Sequence, residues 1–119
     1  MNILVIDDSE IALGQMRETL SAHGHRVVGS HTPIGVTRLI MKEAIDVVVV
    51  DVNLPSLRGD TLAALFRKQP RMQQLGVVLV SGVEASELER LARESSADAV
   101  CTKREVREKL NHAVLRAYN

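Results

Sequence analysis

Five polar side chains stand at the ends of apolar runs in this chain. Asp7 and Asp8 follow Ile3-Leu4-Val5-Ile6, and Asp51 follows Val47-Val48-Val49-Val50. Ser81 follows Val77-Val78-Leu79-Val80, and Lys103 comes two residues after Ala99-Val100-Cys101. Three carboxylates gathered in one crevice repel each other, and their ionised forms are disfavoured unless a cation neutralises them. A hard divalent cation with oxygen ligands does this. Mg²⁺ suits a few carboxylates plus waters, and backbone carbonyls can complete the set. An ammonium and a hydroxyl on the same rim suit a tetrahedral dianion, the equipment for stabilising a phosphoryl group in transfer. A carboxylate can itself act as the nucleophile and form an aspartyl phosphate. Asp51 is the best placed for that role, because it ends the most apolar run.

Taken singly, each residue has a plain structural role. Asp7-Asp8 can cap a helix. Asp51 and Ser81-Gly82 can make turns, Pro55 and Gly59 can punctuate a loop, and Lys103 can be a solvated lysine. The joint pattern carries the chemistry, and it requires elements that bring these ends together.

Those elements are legible. Ile3–Ile6, Arg26–Gly29, Val47–Val50, Val77–Val80 and Ala99–Cys101 read as short strands, several of them apolar on both faces as in a parallel sheet. Between them lie helical patterns. Asp8 or Ser9 can cap the first helix, with Ile11, Met16 and Leu20 on its buried face and an end near Gly24. Thr32-Pro33 reads as the second helix start, with Ile34, Val36, Leu39 and Ile40 inward. Pro55 to Gly59 reads as a loop and Thr61 to Lys68 as the third helix, stopped before Pro70. Leu88, Leu91 and Ala92 mark the fourth, and Val106, Leu110, Ala113, Val114 and Ala117 the fifth. Alternating strands and helices predict an α/β fold: a doubly wound five-stranded parallel sheet with helices on both faces. With strand order 2-1-3-4-5, the first and third strands meet where the order reverses, and ligands of such sheets bind there, outside the carboxyl ends. Asp7, Asp8 and Asp51 would then share one crevice.

The bulk properties narrow the class. At 119 residues the chain reads as one domain, 1–119. Its hydrophobic fraction of 45% and charged fraction of 25% are those of an ordered globular protein. The formal net charge is zero and the aromatic content 2%, so neither a basic field nor base-stacking surfaces recommend nucleic acid. Cys101 is the single cysteine, which rules out an internal disulfide and fits a reducing compartment. No signal peptide or membrane-length apolar run is visible, and the expectation is a cytoplasmic protein without membrane contact. His23, His25, His31 and His112 lack metal-ligand spacing and read as surface residues.

The segments VIDDSE, VVVVDVNLPSLRG around Asp51, VLVSG, and SADAVCTK ending on Lys103 carry a resemblance. Over essentially its whole length the chain resembles the receiver domain of bacterial two-component response regulators, which have a flavodoxin-like fold. The resemblance implies that Asp51 accepts a phosphoryl group from a sensor histidine kinase or a histidine phosphotransfer protein. It implies that Asp8 ligates Mg²⁺ directly, that Asp7 acts nearby or through water, and that Asn53 offers its backbone carbonyl. Lys103 and Ser81 would contact the phosphoryl oxygens. The implied activity is signalling by a phosphorylation-dependent conformational change to a downstream effector or fused output domain, rather than enzymatic turnover. Two positions depart from the family. Arg104 stands where a proline usually follows the lysine through a cis bond, and Val100 stands where the switch aromatic usually lies.

Three other readings share parts of this pattern. A phosphatase of the haloacid dehalogenase type also ends a strand on a nucleophilic aspartate, but it needs an aspartate two positions on, where this chain has Asn53. A flavodoxin-like electron carrier would share the fold, but it would set two aspartates where a flavin phosphate should lie. A receiver-like module used only for protein contacts, with weak or unconventional switching, would not need the complete set of acids and lysine.

Overall fold

The structure is a computed structural model and describes residues 1–118. The elements alternate: β1 (Asn2–Ile6), α1 (Glu10–Ala22), β2 (Arg26–Ser30), α2 (Val36–Lys42), β3 (Val47–Asp51), α3 (Gly59–Arg67), β4 (Gly76–Ser81), α4 (Ala85–Ser95), β5 (Ala99–Thr102) and α5 (Val106–Ala117). Short 3-10 turns lie at Pro70–Met72 and Lys103–Glu105. The five strands form one sheet in the order β2-β1-β3-β4-β5, every pairing parallel. This is the doubly wound arrangement expected from the apolar runs.

Alternation along each strand divides the core in two. Ile3, Val5, Val47, Val49, Val78 and Val80 face α1 and α5. Leu4, Ile6, Val48, Val50, Val77 and Leu79 face the side covered by α2, α3 and α4. β3 is buried at every position, Asp51 included. Its valines satisfy two cores at once, which is why the run shows no period-two polarity. No helix among the described residues is long and apolar enough to cross a membrane.

Two helix faces differ from expectation. Ile11 is 77% exposed, and Leu13, Met16 and Leu20 make the buried face of α1. Steps of three and four residues keep one face, whereas Ile11 to Met16 is a step of five. The second helix starts at Val36 rather than at Thr32-Pro33. The Thr32 hydroxyl accepts the Ile34 N–H at 3.1 Å, and Gly35 follows at a left-handed φ of 79°. The residues that signal a helix start are spent on a turn, and Ile34 is left 79% exposed. Gly59, expected in the loop before the third helix, is its first residue.

Candidate phosphoacceptor site

Strand register brings the polar ends together. Ile6 pairs with Val50, so Asp7, the residue just past β1, stands beside Asp51, the last residue of β3. Ser81 pairs with Thr102, which puts Lys103 at the same edge. Asp7 and Ser81 are fully buried, and Asp51 is 3% exposed. Asp8 is exposed, and Lys103 is half-buried.

Lys103 bridges the two buried acids. Its Nζ donates to Asp51 Oδ2 at 3.2 Å. It stands 3.1 Å from Asp7 Oδ2 without the alignment of a hydrogen bond, so that buried oxygen has a charge partner and no hydrogen-bond donor. The other Asp7 oxygen accepts the Ser9 N–H at 2.9 Å. Burial pushes the Asp7 carboxyl above its ordinary range; the Ser9 N–H opposes this, Asp51 adds to it, and Lys103 opposes it again. Partial burial works against the charge of Lys103, but Asp7 and Asp51 outweigh it and hold the ammonium above its ordinary value.

Asp51 and Ser81 are organised by the loop after β3. The Asn53 N–H donates to Asp51 Oδ1 at 3.2 Å. The Asn53 side-chain amide donates to Ser81 Oγ at 3.1 Å, and the Val83 N–H reaches the same oxygen at 3.3 Å. Both lone pairs of the hydroxyl are thus occupied, leaving its O–H free to donate.

One carboxylate oxygen from each of Asp7, Asp8 and Asp51 lies within 4.8 Å of the other two. Three hard oxygen donors suit Mg²⁺ and would not suit a soft metal, and the Asp7 carboxylate carries a buried oxygen, Oδ2, without a hydrogen-bond donor. Asp8 is left available because Ser9 is the helix cap. Ser9 Oγ accepts the Ala12 N–H at 3.2 Å, while Asp8 keeps an exposed carboxylate.

Some residues that shape the site are not conspicuous in sequence. Gly59 reads as loop punctuation, yet its N–H donates to Val52 O at 2.9 Å, and a Cβ there would stand 2.3 Å from Asp51 O. Nothing in the sequence around Gly59 signals that approach. Thr102 and Glu105 have the T-x-x-E spacing of a helix start, and they flank Lys103. The bond following Lys103 is trans, as are all peptide bonds among the described residues. Val100 is half-buried and packs on the core that α3 and α4 cover. Among the histidines, His25 departs from a plain surface role, with Nε2 2.7 Å from Asn111 Oδ1.

Comparison with known proteins bears on the family and the fold. The sequence profile of the response regulator receiver domain matches residues 3–115. A gliding motility regulatory protein of Myxococcus xanthus is 26% identical over 106 residues, which are 89% of this chain and 14% of that protein. The sensor histidine kinase RcsC of Salmonella typhimurium is 34% identical over 89 residues, 74% of this chain and 9% of the kinase. The chain therefore spans a small part of these relatives. Among solved structures, a DNA-binding response regulator of the LuxR family from Staphylococcus aureus superposes with a TM-score of 0.84 at 19% identity, covering 99% of this chain and 98% of that one. A chemotaxis response regulator of Vibrio cholerae gives 0.79 at 18% identity, with coverage of 94% and 97%. At these identities the structural likeness speaks for the fold.

Proposed function

This chain belongs to the response regulator receiver domain family, and on that premise we propose that residues 1–119 form one receiver domain whose phosphoryl acceptor is Asp51. The observation that carries the proposal is the Lys103 ammonium at 3.1 Å from Asp7 and 3.2 Å from Asp51, beside the exposed carboxylate of Asp8. A buried nucleophile, a cation on its flank and a cluster of hard oxygen ligands meet at one sheet edge.

Asp7, Asp8 and Asp51, with the Asn53 backbone carbonyl, would hold Mg²⁺. The ion supplies charge neutralisation for the phosphoryl oxygens when bound. An oxygen of Asp51 attacks the phosphorus of a phosphohistidine. The O–P bond forms, the N–P bond breaks, and the imidazole nitrogen leaves with the bonding electron pair. Lys103 meets one phosphoryl oxygen, and the free O–H of Ser81 donates to another. The donor is a sensor histidine kinase or a histidine phosphotransfer protein, and the recipient of the signal is a downstream effector or fused output domain. The domain is labelled once per cycle and does not turn over substrate. It acts in the cytoplasm, without membrane contact or direct contact with nucleic acid.

Intact-mass measurement after incubation with Mg²⁺ and acetyl phosphate tests the assignment. Wild type gains one acid-labile phosphoryl group, and Asp51→Asn gains none. Equal gain by the two proteins would remove Asp51 as the acceptor.

A further inference from the structure

Only one 3-10 turn, Lys103–Glu105, separates β5 from α5. Lys103 is its first residue, yet its ammonium must reach back over the sheet edge to Asp7 and Asp51. Arg104 follows through a trans bond and has no ring to stiffen the backbone. The turn is instead tied by its last residue. The buried Thr102 hydroxyl donates to Glu105 Oε1 at 2.8 Å. Glu105 Oε2 takes Lys109 Nζ at 2.8 Å, one turn into α5. One carboxylate thereby joins the end of β5 to the body of α5, with Lys103 between the tied points.

The Lys109 contact alone would count for little, since both groups are substantially exposed. The Thr102 contact is different in kind. Thr102 is 4% exposed, and loss of its acceptor would leave a buried hydroxyl unpaired. Lys109 foremost, and Thr102 after it, hold the Glu105 carboxyl below its ordinary range, so the acceptor is ionised at neutral pH.

We propose that Glu105 is a positioning residue for Lys103: it clamps the β5–α5 turn so that the ammonium is already set for the phosphoryl oxygens. This rests on the reading of Asp51 as phosphoryl acceptor. The clamp acts on Lys103 and not on the metal ligands, which gives it a distinctive signature. A loosened Lys103 serves an incoming phosphoryl group less well, and it also competes less with Mg²⁺ for Asp7 and Asp51.

The test uses the full chain as wild type, E105A and E105Q. For E105A, the acetyl phosphate concentration giving half-maximal labelling rises roughly fivefold, the factor expected from about one lost stabilising contact. Mg²⁺ affinity in the same variant is unchanged or tighter. E105Q keeps an oxygen for Thr102 and recovers most of the labelling. In the metal-free protein, the Lys103 ammonium resonance broadens in E105A and sharpens again in E105Q, a readout independent of phosphotransfer. Labelling and resonance like wild type in E105A would overturn the proposal. So would joint loss of labelling and Mg²⁺ affinity, which marks general damage to the site. Should E105A fail to fold, T102V drops the hydroxyl, nearly keeps the shape, and carries the same expectation. A wild type that takes no label defeats the acceptor assignment instead, and the resonance then decides the clamp.

Discussion

The side-chain amide of Asn53 donates to Ser81 Oγ at 3.1 Å, joining the loop after β3 to the end of β4. This bond and the Val83 N–H fix which way the hydroxyl hydrogen can point. A hydrogen bond of this kind contributes about 0.5–1.5 kcal/mol net. Asn53→Ala is expected to cost about that much in wild type and almost nothing in a Ser81→Ala background. Urea unfolding of the two single variants and the double variant closes the cycle. Equal costs in both backgrounds would show that the two side chains do not interact.

Asp8 is expected to matter for metal and not for the helix that follows it. Ser9 already caps α1, and Asp8 is exposed. Asp8→Ala is expected to weaken Mg²⁺ binding by at least about tenfold, because a charged ligand is lost. Without metal it is expected to leave stability equal or slightly higher, since like-charge repulsion is relieved. Calorimetric titration with Mg²⁺ and a metal-free urea melt check the two halves. A less stable metal-free variant would assign Asp8 to the helix cap after all.

Asp7 sets a pH dependence of definite sign. Burial raises its folded pKa above the ordinary 3.8, so as pH falls the native state binds the proton before the unfolded chain does. The cost of burying the charge is absent below 3.8 and fully present above the folded pKa. In metal-free protein, Asp7→Asn is therefore expected to raise the urea midpoint near neutral pH, with a gain that shrinks to zero as pH falls to 3.8. A gain independent of pH would mean that ionisation of Asp7 is not its source.

Gly59 is expected to be intolerant of the smallest side chain. A methyl there would sit 2.3 Å from Asp51 O and 2.8 Å from Asp51 C, both backbone atoms with nowhere flexible to go. Gly59→Ala must shift either the start of α3 or the end of β3. The expected cost is about 2–3 kcal/mol in urea unfolding, accompanied by slower acetyl phosphate labelling of Asp51. Wild-type stability in this variant would show that the helix start yields freely.

Most of the site is legible in the chain's own pattern, because its residues end apolar runs and a parallel sheet aligns such ends. Asp7, Asp51, Ser81 and Lys103 meet where that logic places them. Legibility fails where local signals compete. Asp8 and Ser9 both favour a helix cap, and the choice falls to Ser9 because the buried Asp7 carboxylate takes the Ser9 N–H. Thr32-Pro33 has the chemistry of a helix start, but Gly35 at positive φ turns the chain first. Gly59 is illegible for another reason. Its role is a distance to Asp51 O across the loop, and composition does not encode such a distance.

The strand order also bears on how the chain is assembled during synthesis. β3 lies between β1 and β4, so Asp7 and Asp51 come together as soon as Val50 has found Ile6. The ammonium that answers them lies 52 residues beyond Asp51. Until β5 is in place, Asp7 and Asp51 stand side by side at the strand ends without Lys103, the cation that spans both. Their repulsion can be eased by protons, by water, by a bound cation, or by docking β5. The last route delivers Lys103, so the repulsion that burdens the unfinished domain also rewards its completion.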